Sequence, residues 1–320
     1  MNVSRRKILG ALAIAQAIPA TAQRRSWNPT LGILGNFSEA NVRFAKEAGF
    51  TSIGLFAHLK TTLDLSSPVS QQRIEQVRTS IKDSGLRLSV IGCHQPNHIA
   101  SDAAERARGN EQFVRAIELA GALGVPYVGS VSGKIPGRPL AQQVDEIVRV
   151  YNEKYFPACQ KHRVRILWEP WVGGPNIATG PVGFEALFKA FGSSPYVGLQ
   201  FDPSHLAWQM IDPIQAARDF VDKIYDVHLK DTEIRWPVLR RVGVNPLNDE
   251  QWWRFRLPGS GSIDWAAFFT VLQDAGYQGA LNIEHEDAGY YPAYDRENFT
   301  QSFKNGFVVA QRFLRQYIPG

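Results

Sequence analysis

The sequence predicts an α/β protein folded as a single-domain (β/α)8, or TIM, barrel, and three observations carry that expectation. Eight short β-rich runs alternate with amphipathic helical segments from Asn28 onward, with no linker and no shift in composition. Glycine closes several helical segments immediately before a strand, as in Glu47-Ala48-Gly49-Phe50, Leu123-Gly124-Val125-Pro126 and Asp274-Ala275-Gly276-Tyr277. Ionisable side chains recur where successive strands end, which is where barrels of this kind place their chemistry. A doubly wound open sheet is the alternative topology.

In chain order, the strand runs are residues 31–34, 52–56, 86–93, 127–131, 165–168, 197–201, 225–229 and 280–283, each a short stretch rich in Val, Ile, Leu or aromatic residues. The helical patterns between and after them span 39–48, 71–84, 111–123, 141–162, 184–191, 213–220, 265–275 and 296–317, with apolar residues recurring at helical spacing. One long irregular stretch, 234–262, separates the seventh strand from its helix. Loops of that length inside a compact domain are usually functional.

The barrel is assigned to residues 26–320, and the first 22 residues are read as a cleavable export signal. Arg5, Arg6 and Lys7 form a positive head, an apolar run from Ile8 to Ala20 follows, and Ala20-Thr21-Ala22 offers small residues for cleavage. The adjacent arginines resemble a twin-arginine signal, which implies export to the periplasm of a folded protein. The run is shorter than the roughly 18 apolar residues a membrane span needs, so no stable membrane anchor is expected.

The 320 residues carry 35 Lys and Arg against 30 Asp and Glu, a formal net charge of +5. Three of those five charges belong to the signal, so composition gives no case for a nucleic-acid partner. The two cysteines, Cys93 and Cys159, have no metal-binding spacing and are read as buried free thiols, although an exported protein could also pair them.

Four consecutive strands end in a potential metal ligand: Trp168-Glu169-Pro170-Trp171, Phe201-Asp202-Pro203-Ser204-His205, Val227-His228-Leu229-Lys230-Asp231 and Ile283-Glu284-His285-Glu286-Asp287. Taken singly, each carboxylate could be a helix cap, Asp202 before Pro203 in particular. As a set, Glu169, Asp202, His228 and Glu284 would share one mouth, and three carboxylates so close cannot all stay ionised without a cation. Oxygen-rich ligation with one imidazole suits a single divalent ion, Mn²⁺ first, with Mg²⁺ or Co²⁺ as alternatives.

These blocks, with Leu257-Pro258-Gly259-Ser260-Gly261-Ser262-Ile263-Asp264-Trp265, resemble the sugar-phosphate isomerase/epimerase family, whose barrel is that of xylose isomerase and the ketose 3-epimerases. The resemblance implies a divalent metal held by Glu169, Asp202, His228 and Glu284, with Glu169 and Glu284 doubling as acid and base. It also implies substrate contacts from His205 and from a basic residue after the seventh strand, for which Lys230 and Arg235 are the candidates.

Such a site acidifies a C–H bond between a carbonyl and a hydroxyl, so the expected activity is epimerisation or isomerisation of a keto sugar or keto-glycoside through a metal-stabilised enediolate. The same carbanion could instead expel the aglycone of a 3-keto-glycoside, a lyase or hydrolase outcome. The partner is then a small sugar or glycoside, and a homo-oligomer is compatible with the sequence. Trp168 and Trp171, flanking Glu169, are expected as pocket walls. His94 and His98, after the third strand, and Arg254 and Arg256, in the long loop, are expected substrate contacts, although either histidine alone could be structural. Trp252 and Trp253 could platform a sugar or simply pack the loop. Two other classes fit less well: an apurinic-site endonuclease needs more His and Asp ligands, and a non-catalytic sugar-binding protein needs none.

Overall fold

The computed structural model describes residues 27–295 and 297–318, and the expected export signal lies outside them. Seven parallel strands come first: β1 (Thr30–Gly35), β2 (Ser52–Phe56), β3 (Arg87–Gly92), β4 (Tyr127–Ser130), β5 (Arg165–Trp168), β6 (Val197–Phe201) and β7 (Ile224–Leu229). An antiparallel ribbon, β8 (Asp231–Ile234) with β9 (Trp253–Arg256), precedes the eighth barrel strand, β10 (Ala280–Ile283). Pairing of β1 with both β2 and β10 closes the barrel, which excludes the open sheet. A two-residue ribbon, β11 (Tyr294–Asp295) with β12 (Asn298–Phe299), follows.

Helices α1 (Glu39–Glu47), α2 (Gln71–Ser84), α3 (Ala103–Leu123), α4 (Leu140–Val150), α5 (Phe156–His162), α6 (Pro181–Phe191), α7 (Pro203–Trp208), α8 (Pro213–Phe220), α9 (Trp236–Val242), α10 (Trp265–Asp274) and α11 (Gln301–Leu314) surround the strands or decorate the mouth. Local chemistry sets several starts: the side chains of Ser38, Ser70, Asp102, Asp212, Asp264 and Thr300 each accept a backbone N–H in the first turn of the helix that follows. Gly85 and Gly124 end α2 and α3 in the left-handed conformation, at φ 70° and 72°.

The expected helix over 141–162 is broken into α4, a π-helical turn (Tyr151–Tyr155) and α5. Pro157 has no N–H and its ring would strike the carbonyl four residues back, so the backbone slips and Phe156 N–H bonds Tyr151 O instead. The expected irregular stretch at 234–262 contains α9 and β9. Cys93 and Cys159 are buried and unbonded. Among the described residues no helix is long and apolar enough to cross a membrane.

Strand side chains alternate between two environments. Ile33, Ile53, Val128, Ile166, Trp168, Leu199, Phe201, Val227, Leu229, Leu281 and Ile283 belong to the apolar core that includes the helices. The opposite set faces the barrel interior, which is polar around Ser89, Gln200, Asp226, His228 and Asn282.

Candidate active site

The period of two carries Glu169, Asp202, His228 with Lys230, and Glu284 inward at the carboxyl ends of β5, β6, β7 and β10. Ligand atoms of Glu169, Asp202, His205 and Glu284 all lie within 4.8 Å of one another. His228 Nδ1 is equally central, 2.8 Å from Glu169 Oε1 and 3.2 Å from Glu284 Oε2. Asp202 caps α7, as the sequence allowed, but with one oxygen only: Oδ1 accepts Ser204 N at 2.8 Å. Its Oδ2 is buried without a hydrogen bond and faces Lys230 Nζ at 3.1 Å.

Charge explains how so many carboxylates share the mouth. Burial would push Glu169 up, yet the imidazoles of His228 and His94 beside it hold it well below the usual carboxylate range. Burial opposes ionisation of Glu284 too, and the Lys230 ammonium pulls it down to about 2. Conversely, burial would strip Lys230 of its proton, but Asp202, Glu284 and Glu286 keep it charged. Lys230 Nζ also sits 4.4 Å from the centre of the Phe255 ring, and the His205 ring meets the same phenyl edge-on at 5.2 Å. The donor set fits a divalent cation: three carboxylates converge with two imidazoles, and Asp202 Oδ2, which makes no hydrogen bond and only an ion pair with Lys230, has a lone pair open for coordination.

Past the carboxyl end of β3, His94 Nε2 contacts Glu169 Oε2 at 3.2 Å, so His94 belongs to the site. The expectations for Trp168, His98, Arg254 and Arg256 are corrected. Because Glu169 points inward, Trp168 must point outward; it is fully buried against Tyr151, Phe188 and Phe191 in the helical layer. Trp171 folds over Gly173 and Gly174 of its own loop. His98 is a buried structural residue, bonded to Tyr155 Oη at 2.8 Å and Ser130 Oγ at 3.0 Å, and burial pushes its pKa down to about 3. Arg254 and Arg256 lie on the face of β9 that pairs with Glu233, at 2.8 and 2.7 Å, and Arg256 also binds Asp287 at 2.9 Å. Their neighbour Phe255 takes the other face and meets the site.

Trp252 packs the loop, donating to Val244 O, whereas Trp253 stacks on Trp208 at 4.6 Å. Sequence reading also passed over Gln200, Asp226, Asn282 and Glu286. The signal was available for three of them, since Gln200, Asp226 and Asn282 each stand two residues before an inward-facing site residue on the same strand. Asp231, next to Lys230, accepts Gly259 N, Ile263 N and Trp265 Nε1 at 3.0, 3.2 and 2.8 Å, which ties the Gly259–Trp265 segment to the carboxyl end of β7.

Fold and site together define a barrel enzyme with an acid–base mouth able to hold a cation. The chain matches the xylose isomerase-like TIM barrel model over residues 42–314, and it belongs to that family. It is 30% identical over 254 residues to the uncharacterized protein YfiH of Bacillus subtilis, covering 70% of this chain and 79% of the relative. A 93-residue stretch is 37% identical to the inosose dehydratase of Clostridium botulinum, 28% of this chain and 30% of that protein. The structure of the 3-keto-D-glucoside 4-epimerase of E. coli superposes with a TM-score of 0.62 at 18% identity, covering 89% of this chain and all of that one (100%).

Proposed function

We propose that the chain is a divalent-metal-dependent epimerase or isomerase of a keto sugar or keto-glycoside. The observation that carries this reading is the approach of Glu169 and Glu284, from β5 and β10, to the single atom His228 Nδ1. Glu169, Asp202, His228 and Glu284 would hold the metal, with His205 Nε2 in the same cluster. The ion, Mn²⁺ for preference and otherwise Mg²⁺ or Co²⁺, supplies positive charge that stabilises oxyanions of the substrate. One glutamate then takes the proton from the carbon between carbonyl and hydroxyl, and the other returns a proton from the opposite face. His205 and Lys230 would hold substrate oxygens.

A second reading, elimination from a 3-keto-glycoside, is favoured by one contact. Lys230 Nζ lies 2.7 Å from Glu286 Oε2, whose side chain is 43% exposed, so a cationic donor with a solvent-side partner stands ready for a leaving oxygen. The similarity to a dehydratase accords with it. The amino-terminal sequence supports export by the twin-arginine route to the periplasm; the mature amino terminus, read by mass spectrometry, tests this.

The reaction is tested by NMR in D₂O with keto sugars and 3-keto-glycosides. Epimerisation gives deuterium at the inverted carbon, and elimination gives free aglycone. Glu169→Gln and Glu284→Gln should each lose ~10²–10⁴-fold, the usual worth of general acid–base transfer. Full turnover in both variants, or undiminished turnover after chelation, would end the proposal.

A further inference from the structure

Below the carboxylates, the barrel interior holds a column of polar side chains that the proposed reaction does not call on. Asp226 is fully buried on β7 and accepts at both oxygens, from Asn282 Nδ2 on Oδ1 and Gln200 Nε2 on Oδ2, each at 2.8 Å. Ser89 Oγ lies 3.2 Å from Ile53 O and 3.3 Å from Asn282 Oδ1, so its single proton serves either acceptor. Gln200 Oε1 meets His94 Nε2 at 2.8 Å, and the same nitrogen lies 3.2 Å from Glu169 Oε2. Gly129 makes the room, since a Cβ there would overlap Gln200 Oε1.

Direction in this column is set by the amides: Asn282 and Gln200 both give their NH2 groups to Asp226, so Gln200 turns its carbonyl to His94. The carbonyl in turn requires a proton on His94 Nε2, which leaves Nδ1 bare in the neutral ring. We infer that Asp226 is a positioning residue that acts through Gln200 to fix the tautomer of His94, with the Nε2–H given to Gln200 Oε1, and so to seat the His94 ring beside Glu169 Oε2. Glu169 then has Oε2 against a ring held in one orientation, and Oε1 faces His228 at the mouth. The inference rests on the function proposed above only for the importance of Glu169; its test needs no substrate.

The experiment uses ¹⁵N-histidine-labelled, Mg²⁺-loaded protein at mildly alkaline pH to read the His94 tautomer, and Mn²⁺ titration to read metal affinity. The wild type should show His94 protonated at Nε2. Asp226→Asn lets Gln200 invert, so the Nδ1–H form should appear and Mn²⁺ binding should weaken ~10–100-fold, the usual effect of losing a group that orients a metal ligand. The double variant D226N/Q200E should recover both readouts, because the carboxylate introduced at position 200 can accept from the amide introduced at position 226 and from His94 Nε2–H together. Gly129→Ala, which displaces Gln200, should reproduce the single-variant signature. An unchanged His94 tautomer and Mn²⁺ affinity in Asp226→Asn would overturn the inference. So would a double variant no better than the single one, including the case in which both fail to fold. Loss of the proposed reaction with these readouts intact would fault the reading of function and leave this one standing.

Discussion

Lys230 Nζ lies 2.5 Å from Glu284 Oε2, so the chain carries its own cation among the groups that would ligate a metal. Asp202 Oδ2 and Glu286 Oε2 complete the cage at 3.1 and 2.7 Å. Replacing the ammonium by a neutral chain of similar length leaves buried carboxylates without a counter-charge, a change worth about 3–5 kcal/mol when one partner of a buried pair is lost. Lys230→Met should therefore lower the thermal midpoint of the metal-free protein, and Mn²⁺ should raise that midpoint more in the variant than in the wild type. Equal midpoints with and without Mn²⁺ would contradict the role of Lys230 as counter-ion.

The two faces of β9 predict opposite outcomes for neighbouring substitutions. Phe255 packs against Lys230 and His205, so Phe255→Ala should change KM, kcat or both by about tenfold or more, the scale of a misplaced positioning group. Arg254 is tied to Glu233 on the far face and its side chain is 52% exposed, so Arg254→Ala should leave both constants within about twofold. Steady-state kinetics on whichever keto sugar or glycoside is turned over distinguishes them.

His98 predicts a pH dependence of stability. Its pKa is about 3 in the fold against 6.5 in the unfolded chain, so the native state excludes a proton that the unfolded state binds below pH 6.5. Its burial is therefore harmless above that pH, and stability is lost as pH falls from 6.5 towards 3, at up to about 1.4 kcal/mol per pH unit. Asp226, raised by burial from 3.8 to about 6, runs the other way and loses stability as pH rises through that window. Comparison with His98→Gln isolates the histidine: urea midpoints of the variant should fall less steeply with acid than those of the wild type. Parallel curves would exclude the assignment.

Asp231 is the anchor of the segment after β9, and Asp231→Ala strands the donors Gly259 N, Ile263 N and Trp265 Nε1. Buried donors left unpaired cost ~1–3 kcal/mol each, partly relieved by entering water, so a net loss of about 2–4 kcal/mol in denaturant unfolding is expected. A loss under about 0.5 kcal/mol, the scale of an ordinary surface change, would mean the segment is held by its apolar contacts alone.

Periodicity and helix punctuation sufficed for the barrel, because strands at 52–56, 165–168, 197–201 and 280–283 are bounded by turn chemistry that acts locally. The inward set Glu169, Asp202, His228 and Glu284 was equally accessible, since each stands at or just past the end of a strand. The misplacements have separate causes. Trp168 is next to Glu169 in the chain, whereas alternation sends immediate neighbours to opposite faces. Arg254 belongs to the long loop, and only the pairing of β9 with β8 turns it towards Glu233. His98 was indistinguishable from a ligand by type; only the π-helical turn that brings Tyr155 Oη to it, an effect of Pro157, reveals its structural task. The column through Gln200 and Asp226 depends on pairings between residues far apart in the chain, which no local pattern encodes.

The ribbon β8–β9 leaves the barrel just past Lys230 and returns at Leu257, with Asp231 lashing its two roots together. The strand order that builds the catalytic mouth does not run through the segment between those roots, and Phe255 reaches back from it to Lys230 and His205. The excursion behaves as an exchangeable cassette: grafting a different insert between Thr232 and Leu257, with Asp231, Phe255 and Gly259 kept, would redraw the rest of the wall facing the substrate while the ionisable centre stays in place. Divergence in what such barrels accept can then proceed by replacing one module, without renegotiating the core.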